Sequence, residues 1–130
     1  MNKLSLIFAL CAIFTIASYA QDSTALQVDE LVICTSVEDR QPVGADTAFS
    51  STTEQLYCFT KISGATDSVQ VSHVWYHGDT ERSKVDLNIK GSPWRTWSSK
   101  TLAPEWTGSW RVDVVDAAGN VLKSATFSVN

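Results

Sequence analysis

Side chains of alternating polarity run in short blocks along this chain, and that period of two is the strongest constraint on its fold. Val85, Leu87 and Ile89 alternate with Lys84, Asp86, Asn88 and Lys90. Val69, Val71, His73 and Trp75 share one face of a second block, and Gln70, Ser72, Val74 and Tyr76 share the other. A strand sends successive side chains to opposite faces, so such alternation yields one buried and one solvated surface. Trp110, Val112 and Val114, and then Ala125, Phe127 and Val129, repeat the pattern.

Turn residues separate the blocks: Gly64-Ala65-Thr66-Asp67, Gly78-Asp79-Thr80, Gly91-Ser92-Pro93 and Asp116-Ala117-Ala118-Gly119-Asn120. The reading predicts strands over 29–37, 54–62, 68–77, 82–90, 94–101, 109–116 and 121–129. The longest connection, 38–53, holds Pro42 and Gly44 and is long enough to cross from one sheet to another. No window beyond residue 20 carries a helical stripe. The expected fold is all-β, an immunoglobulin-like antiparallel β-sandwich of about seven strands, with a small barrel as the alternative.

The first twenty residues read as a processing segment. Lys3 supplies a positive start, Leu4 to Ile16 an apolar stretch of thirteen residues, and Ser18-Tyr19-Ala20 the small residues before a cut at Gln21. About 20 apolar residues would be needed to span a membrane. The expected organisation is a cleaved signal peptide over 1–20, a short lead-in over 21–28 and one sandwich domain over 29–130. Without Lys3, nine Lys and Arg face fourteen Asp and Glu, a net charge near −5 with the signs interspersed. No basic run exists, so nucleic acid is a poor partner, and no second apolar segment follows to span a membrane. The expected location is periplasmic or secreted.

Cys11 leaves with the signal peptide, so the mature chain keeps Cys34 and Cys58. In an oxidising compartment such a pair suggests one disulfide, closing a loop of about 25 residues worth roughly 3.5 kcal/mol. The alternative is two buried free thiols acting as small hydrophobes.

Chemistry-bearing motifs are sparse. His73 and His77 are four apart, which on a strand separates them by about 13 Å, too far to share one metal ion. His73 reads as a hydrogen-bonded histidine beside the core and His77 as a turn residue. The pairs Asp79/Glu81 and Asp113/Asp116 lack calcium-loop spacing and read as solvated surface. Ser98-Ser99 beside Lys100 has nothing local to neutralise the lysine. No nucleophile elbow, zinc-protease helix or phosphate loop is present. The expectation is a non-enzyme without cofactor or metal.

The aromatics remain. Trp94, Trp97, Trp106 and Trp110 fall within seventeen residues. Trp75 and Trp110 lie on apolar strand faces and read as core. Trp94 and Trp97 are three apart and point to opposite faces of a strand, so one of them is core and the other looks outward. Trp106 sits in a Pro-x-Trp-x-Gly segment that can fold over the sandwich end. Together with Arg95 and Lys100, the residues Trp94, Trp97 and Trp106 form the candidate binding set, a platform for a sugar or a protein hot spot. The bland reading is a lid in which Arg95 stacks on an indole and closes the core.

The run Trp94-Arg95-Thr96-Trp97-Ser98-Ser99-Lys100, followed by Gly108-Ser109-Trp110-Arg111-Val112, also supports a comparison at family level. Together with Val37-Glu38-Asp39-Arg40-Gln41-Pro42-Val43, Leu56-Tyr57-Cys58-Phe59-Thr60, His73-Val74-Trp75, Gly119-Asn120-Val121-Leu122 and Phe127, it resembles the bacterial domain of unknown function family 2914 over about residues 31–129. The resemblance implies an exported or membrane-tethered bacterial domain and brings no activity or catalytic residue. The family pattern has non-cysteine residues at the sites of Cys34 and Cys58, so a bridge would be a local addition. The expected role is a non-catalytic exported module that binds a glycan or an envelope protein through residues 94–110. Its rivals are a structural accessory domain with every tryptophan buried and, third, an enzyme of unrecognised type.

Overall fold

The computed structural model describes residues 26–130, so the signal-peptide reading of residues 1–20 and most of the 21–28 lead-in lie outside the described residues. Ten strands form, seven of them long: β1 (Gln27–Cys34), β5 (Gln55–Ser63), β6 (Val69–His77), β7 (Thr80–Ile89), β8 (Trp94–Thr101), β9 (Gly108–Asp116) and β10 (Val121–Val129). The short ones are β2 (Ser36–Glu38), β3 (Gln41–Val43) and β4 (Ala48–Phe49). One sheet has the order β1-β5-β8, and the facing sheet β4-β10-β9-β6-β7. Every pairing between long strands is antiparallel; β4 alone runs parallel to its neighbour β10. This is the expected all-β sandwich. Among the described residues no helix is long and apolar enough to cross a membrane.

The alternation read from the sequence sets which face is buried. From the smaller sheet, Ile33, Leu56, Cys58 and Ile62 turn inward; from the larger, Val71, Trp75, Ile89, Trp110, Val112, Val114, Phe127 and Val129 meet them. Trp75 occupies the third long strand beside Cys58 on the second, where an immunoglobulin-like sandwich keeps its buried tryptophan. Packed aromatics fix this layer: Trp110 stacks on Phe127 at 5.9 Å, and Trp75 meets the same ring edge-on at 6.2 Å.

The expected strand 29–37 divides. β1 begins two residues earlier and ends at Cys34, and residues 36–43 then fold back as the β2–β3 hairpin. Its two-residue loop, Asp39-Arg40, has φ of 52° and 61°, the primed geometry that suits the twist of a tight hairpin. The connection 38–53 crosses between sheets as anticipated, because β4 pairs with β10 in the sheet opposite β1.

The Cys34–Cys58 disulfide does not form: both thiols are free and buried. Register explains it. Cys58 stands opposite Ile33 and turns into the core, whereas Cys34 stands opposite Tyr57 and turns to the other face of the same sheet. Side chains on opposite faces cannot meet without breaking the ladder. Burial raises both thiol pKa values, and for Cys58 the nearby Cys34 adds to it.

Candidate functional site

The candidate residues 94–110 are distributed by the same alternation that builds the sandwich. On β8, Trp94 stands opposite Ile62 and packs inward at one end of the core. Arg95 and Trp97 look outward, opposite Lys61 and Phe59; Trp97 is half-buried and its ring stacks on Phe59 at 6.2 Å and 16°. Lys100 lies at the far end of the strand, next to Trp106 from the β8–β9 connection. The set is therefore split over three places. Lys100 and Trp106 are brought together; Trp94, Arg95 and Trp97 are not.

All five tryptophans are buried or half-buried, and those at the Trp106 end form a continuous aromatic cluster. Trp106 lies 6.1 Å from Trp110, whose indole N–H donates to the Trp106 carbonyl at 2.9 Å. His77, read from the sequence as a turn residue, is instead the last residue of β6 and stacks on Trp110 at 4.8 Å. Its Nε2–H donates to the Thr107 carbonyl at 2.7 Å, tying strand to loop.

The expected lid forms, but with different cations. Arg82 lies 4.7 Å and Lys100 5.5 Å from the Trp106 ring centroid, and Arg95 takes no part. Arg82 was not legible as a site residue. It is the extra residue of a β-bulge, since Ser83 pairs with Trp75 and Glu81 with Tyr76, and the bulge aims it at the indole. On the outer face of the larger sheet, where β9, β10 and the β6–β7 turn meet, lies an open pocket of about 490 Å³. Thr47, Asp79, Ser109, Arg111, Thr126 and Ser128 are among the residues that line it. Arg111 is held there by Asp113 at 2.9 Å and by the Tyr76 ring at 4.3 Å. Asp113, expected in solvent, is buried on the outer sheet face and also accepts from Ser124 at 2.6 Å.

His73 is sealed in the core, as the sequence suggested, and links the two sheets. Thr60 donates its hydroxyl to the Thr96 carbonyl at 3.0 Å, so Thr60 Oγ1 accepts from His73 Nε2–H at 3.2 Å. Nδ1 is then the acceptor, taking the Ser98 hydroxyl at 2.7 Å, while Ser98 Oγ accepts the Trp75 indole N–H at 3.1 Å. The chain fixes one neutral tautomer and leaves no polar atom of the ring free. Burial lowers the His73 pKa from 6.5 to about 4. With both nitrogens bound inside the core, this histidine has no open position for a substrate or metal.

No curated protein matches the chain. Among solved structures it aligns with a GH3 beta-glucosidase of Bifidobacterium adolescentis at 8% identity and TM-score 0.46, covering 80% of this chain and 17% of that one. A beta-glucosidase of Kluyveromyces marxianus aligns at 11% identity and TM-score 0.41, covering 81% and 14%. An endonuclease/exonuclease/phosphatase of Beutenbergia cavernae aligns at 16% identity and TM-score 0.34, covering 80% and 35%. The chain thus spans well under two-thirds of each of these proteins, and alignments this loose carry nothing about activity. A family model matches residues 68–129, from just before β6 to the end of β10. Across that stretch the chain resembles the family described as "Protein of unknown function (DUF2914)", as its tryptophan run indicated.

Proposed function

We propose that this chain is an exported, non-catalytic binding module whose partner, a glycan or an envelope protein, docks at the Trp106–Trp110 end of the sandwich. The observation that carries the reading is the open pocket of about 490 Å³ on the outer face of the larger sheet, lined by polar residues that include Thr47, Asp79, Ser109, Arg111, Thr126 and Ser128. Its volume falls within the roughly 300–1,000 Å³ of small-ligand sites. A lining rich in Ser and Thr favours a glycan over a protein, whose contact would call for exposed aromatic anchors. Export rests on the residues before Gln21. The absence of catalysis is inferred from the one buried histidine being spent on structural hydrogen bonds.

A glycan array probed with labelled protein tests this. Binding is expected for the wild type, and Thr126→Trp, which fills the pocket from its wall, should lower it at least tenfold. A blank array favours the second reading, a structural accessory domain. The burial or half-burial of all five indoles speaks for that alternative.

A further inference from the structure

The two flanks of the sandwich carry opposite charge, and each ends in an edge strand of the β1-β5-β8 sheet. Residues 82–100, from β7 through β8, hold five Lys and Arg against one acid, Asp86. Residues 29–46, from β1 through the hairpin to just before β4, hold five Asp and Glu against one base, Arg40. β8 packs against β7 and β1 against β10, so the basic and acidic stretches stand on opposite sides of the molecule. Among the described residues the one ion pair is Arg111–Asp113, which leaves both flanks uncompensated within the chain. Charge on an edge strand ordinarily keeps copies apart, because two like edges repel. Here the same rule blocks β8 from β8 and β1 from β1, and it leaves the unlike edges attractive.

Register makes the fit specific. Glu30, Lys61 and Arg95 form one row across the sheet, and Val32, Phe59 and Trp97 form another on the same outer face. Glu30 and Val32 flank the inward Leu31, so both look outward with Arg95 and Trp97. The charged row ends in an acid at β1 and a base at β8. The apolar row ends in half-buried Val32 and half-buried Trp97, whose ring lies on Phe59. The chain's own segment 43–46 covers the β1 edge only from Ile33 onward: Asp46 N–H donates to the Ile33 carbonyl and Thr35 N–H to the Val43 carbonyl, both at 3.1 Å. Among the described residues, 27–32 have no strand neighbour on that side, and 94–101 of β8 have none on theirs.

We propose that β8 of one copy pairs with β1 of the next, so that the sheet continues from molecule to molecule. β1 and β8 both run antiparallel to β5, so in a head-to-tail step the new pair is parallel. One strand spacing, about 4.8 Å, then sets Arg95 beside Glu30 and Trp97 beside Val32 of the next copy. On the facing sheet the same step brings basic β7 toward β4 and the preceding Asp46 of the next copy. Each copy uses one edge to give and the other to receive, so assembly runs past the dimer into chains or rings. The glycan reading rests on the outer face of the larger sheet, and its failure leaves this assembly untouched.

Sedimentation of the folded protein at low salt, from micromolar to millimolar concentration, should show mass rising past the dimer. About 0.5 M sodium chloride should reverse most of that rise. Hydrogen exchange over the same range should slow in 27–32 and 94–101 and stay constant in 121–127. Arg95→Glu puts an acid at the charged row's end on both edges, and Glu30→Arg puts a base on both. Each should weaken assembly roughly fivefold or more with unchanged circular dichroism. An equimolar mixture of the two variants should recover it, since the acidic ends of one meet the basic ends of the other. If Glu30→Arg, which sits beside Lys61, does not fold, Arg95→Glu and the exchange data decide the question. A protein that stays monomeric to millimolar concentration overturns the proposal. So does a mass that stops at two, the mark of a two-fold contact between like edges, or association that leaves 27–32 and 94–101 unprotected. Variants that assemble like the wild type, or a mixture no better than either folded variant alone, overturn it as well.

Discussion

At the scale of single residues, backbone conformation sets narrow limits around the β2–β3 hairpin. Gly44 has φ of 76°, and a Cβ there would run into the Thr35 hydroxyl, which donates to the Val43 carbonyl at 3.2 Å. Gly44→Ala therefore combines a left-handed backbone with a clash, and it should cost about 1–3 kcal/mol in chemical denaturation. An unchanged midpoint would mean that the hairpin relaxes freely. Cys34 and Cys58 are decided at the same scale. Two cysteines in an exported chain suggest a bridge by arithmetic alone, but one residue of register turns their side chains to opposite faces. Since both thiols are buried with raised pKa values, alkylation with peptide-level mass spectrometry should find them unlabelled in the native protein. After denaturation without reductant both should label; a surviving 34–58 bridge would contradict the register.

At the scale of elements, the hydrogen-bond chain from Trp75 through Ser98, His73 and Thr60 to Thr96 joins β6 of one sheet to β5 and β8 of the other. Its weak point is acid. The folded pKa of His73 lies near 4, below the ordinary 6.5, so between those values the unfolded chain holds more protons than the folded one. The stability contributed by keeping His73 neutral is full above pH 6.5 and is lost as pH falls toward 4, about 3 kcal/mol in all. No charged partner stands in the chain to offset this, since its other members are hydroxyls, an indole and a carbonyl. Urea unfolding at pH 7 and pH 4 should register the drop. His73→Gln should be less stable at pH 7 and should lose most of this pH dependence; a wild-type-like slope would assign the acid sensitivity elsewhere. Strand periodicity placed His73 on the inward face from sequence alone. It could not supply the partners, because Thr60, Thr96 and Ser98 belong to the opposing sheet, whose register is set by packing.

At the scale of the whole molecule, the tryptophan-rich stretch is a fold signature before it is a binding surface. One strand, β8, sends Trp94 to one end of the core, Trp97 to the outer face and Lys100 to the opposite end. Residues adjacent in sequence are thereby dealt to separate surfaces. Distant pieces come together instead: Arg82 from β7 and Lys100 from β8 meet Trp106 of the connection, while β9 and β10 build the pocket on the outer sheet face.

The amino-acid sequence by itself determined the seven long strands in outline, the inward faces of β6, β9 and β10, the burial of Trp75 and Trp110, and the opposed directions of Trp94 and Trp97. All of these follow from a local rule, the alternation of side chains along an extended chain, and a local rule can be read locally. The tertiary structure alone decided that the two thiols stay apart, that Arg82 rather than Arg95 covers an indole, and that His73 closes a chain between sheets. Each depends on register and on bulges between strands far apart in sequence, where packing of the whole sandwich selects the partner.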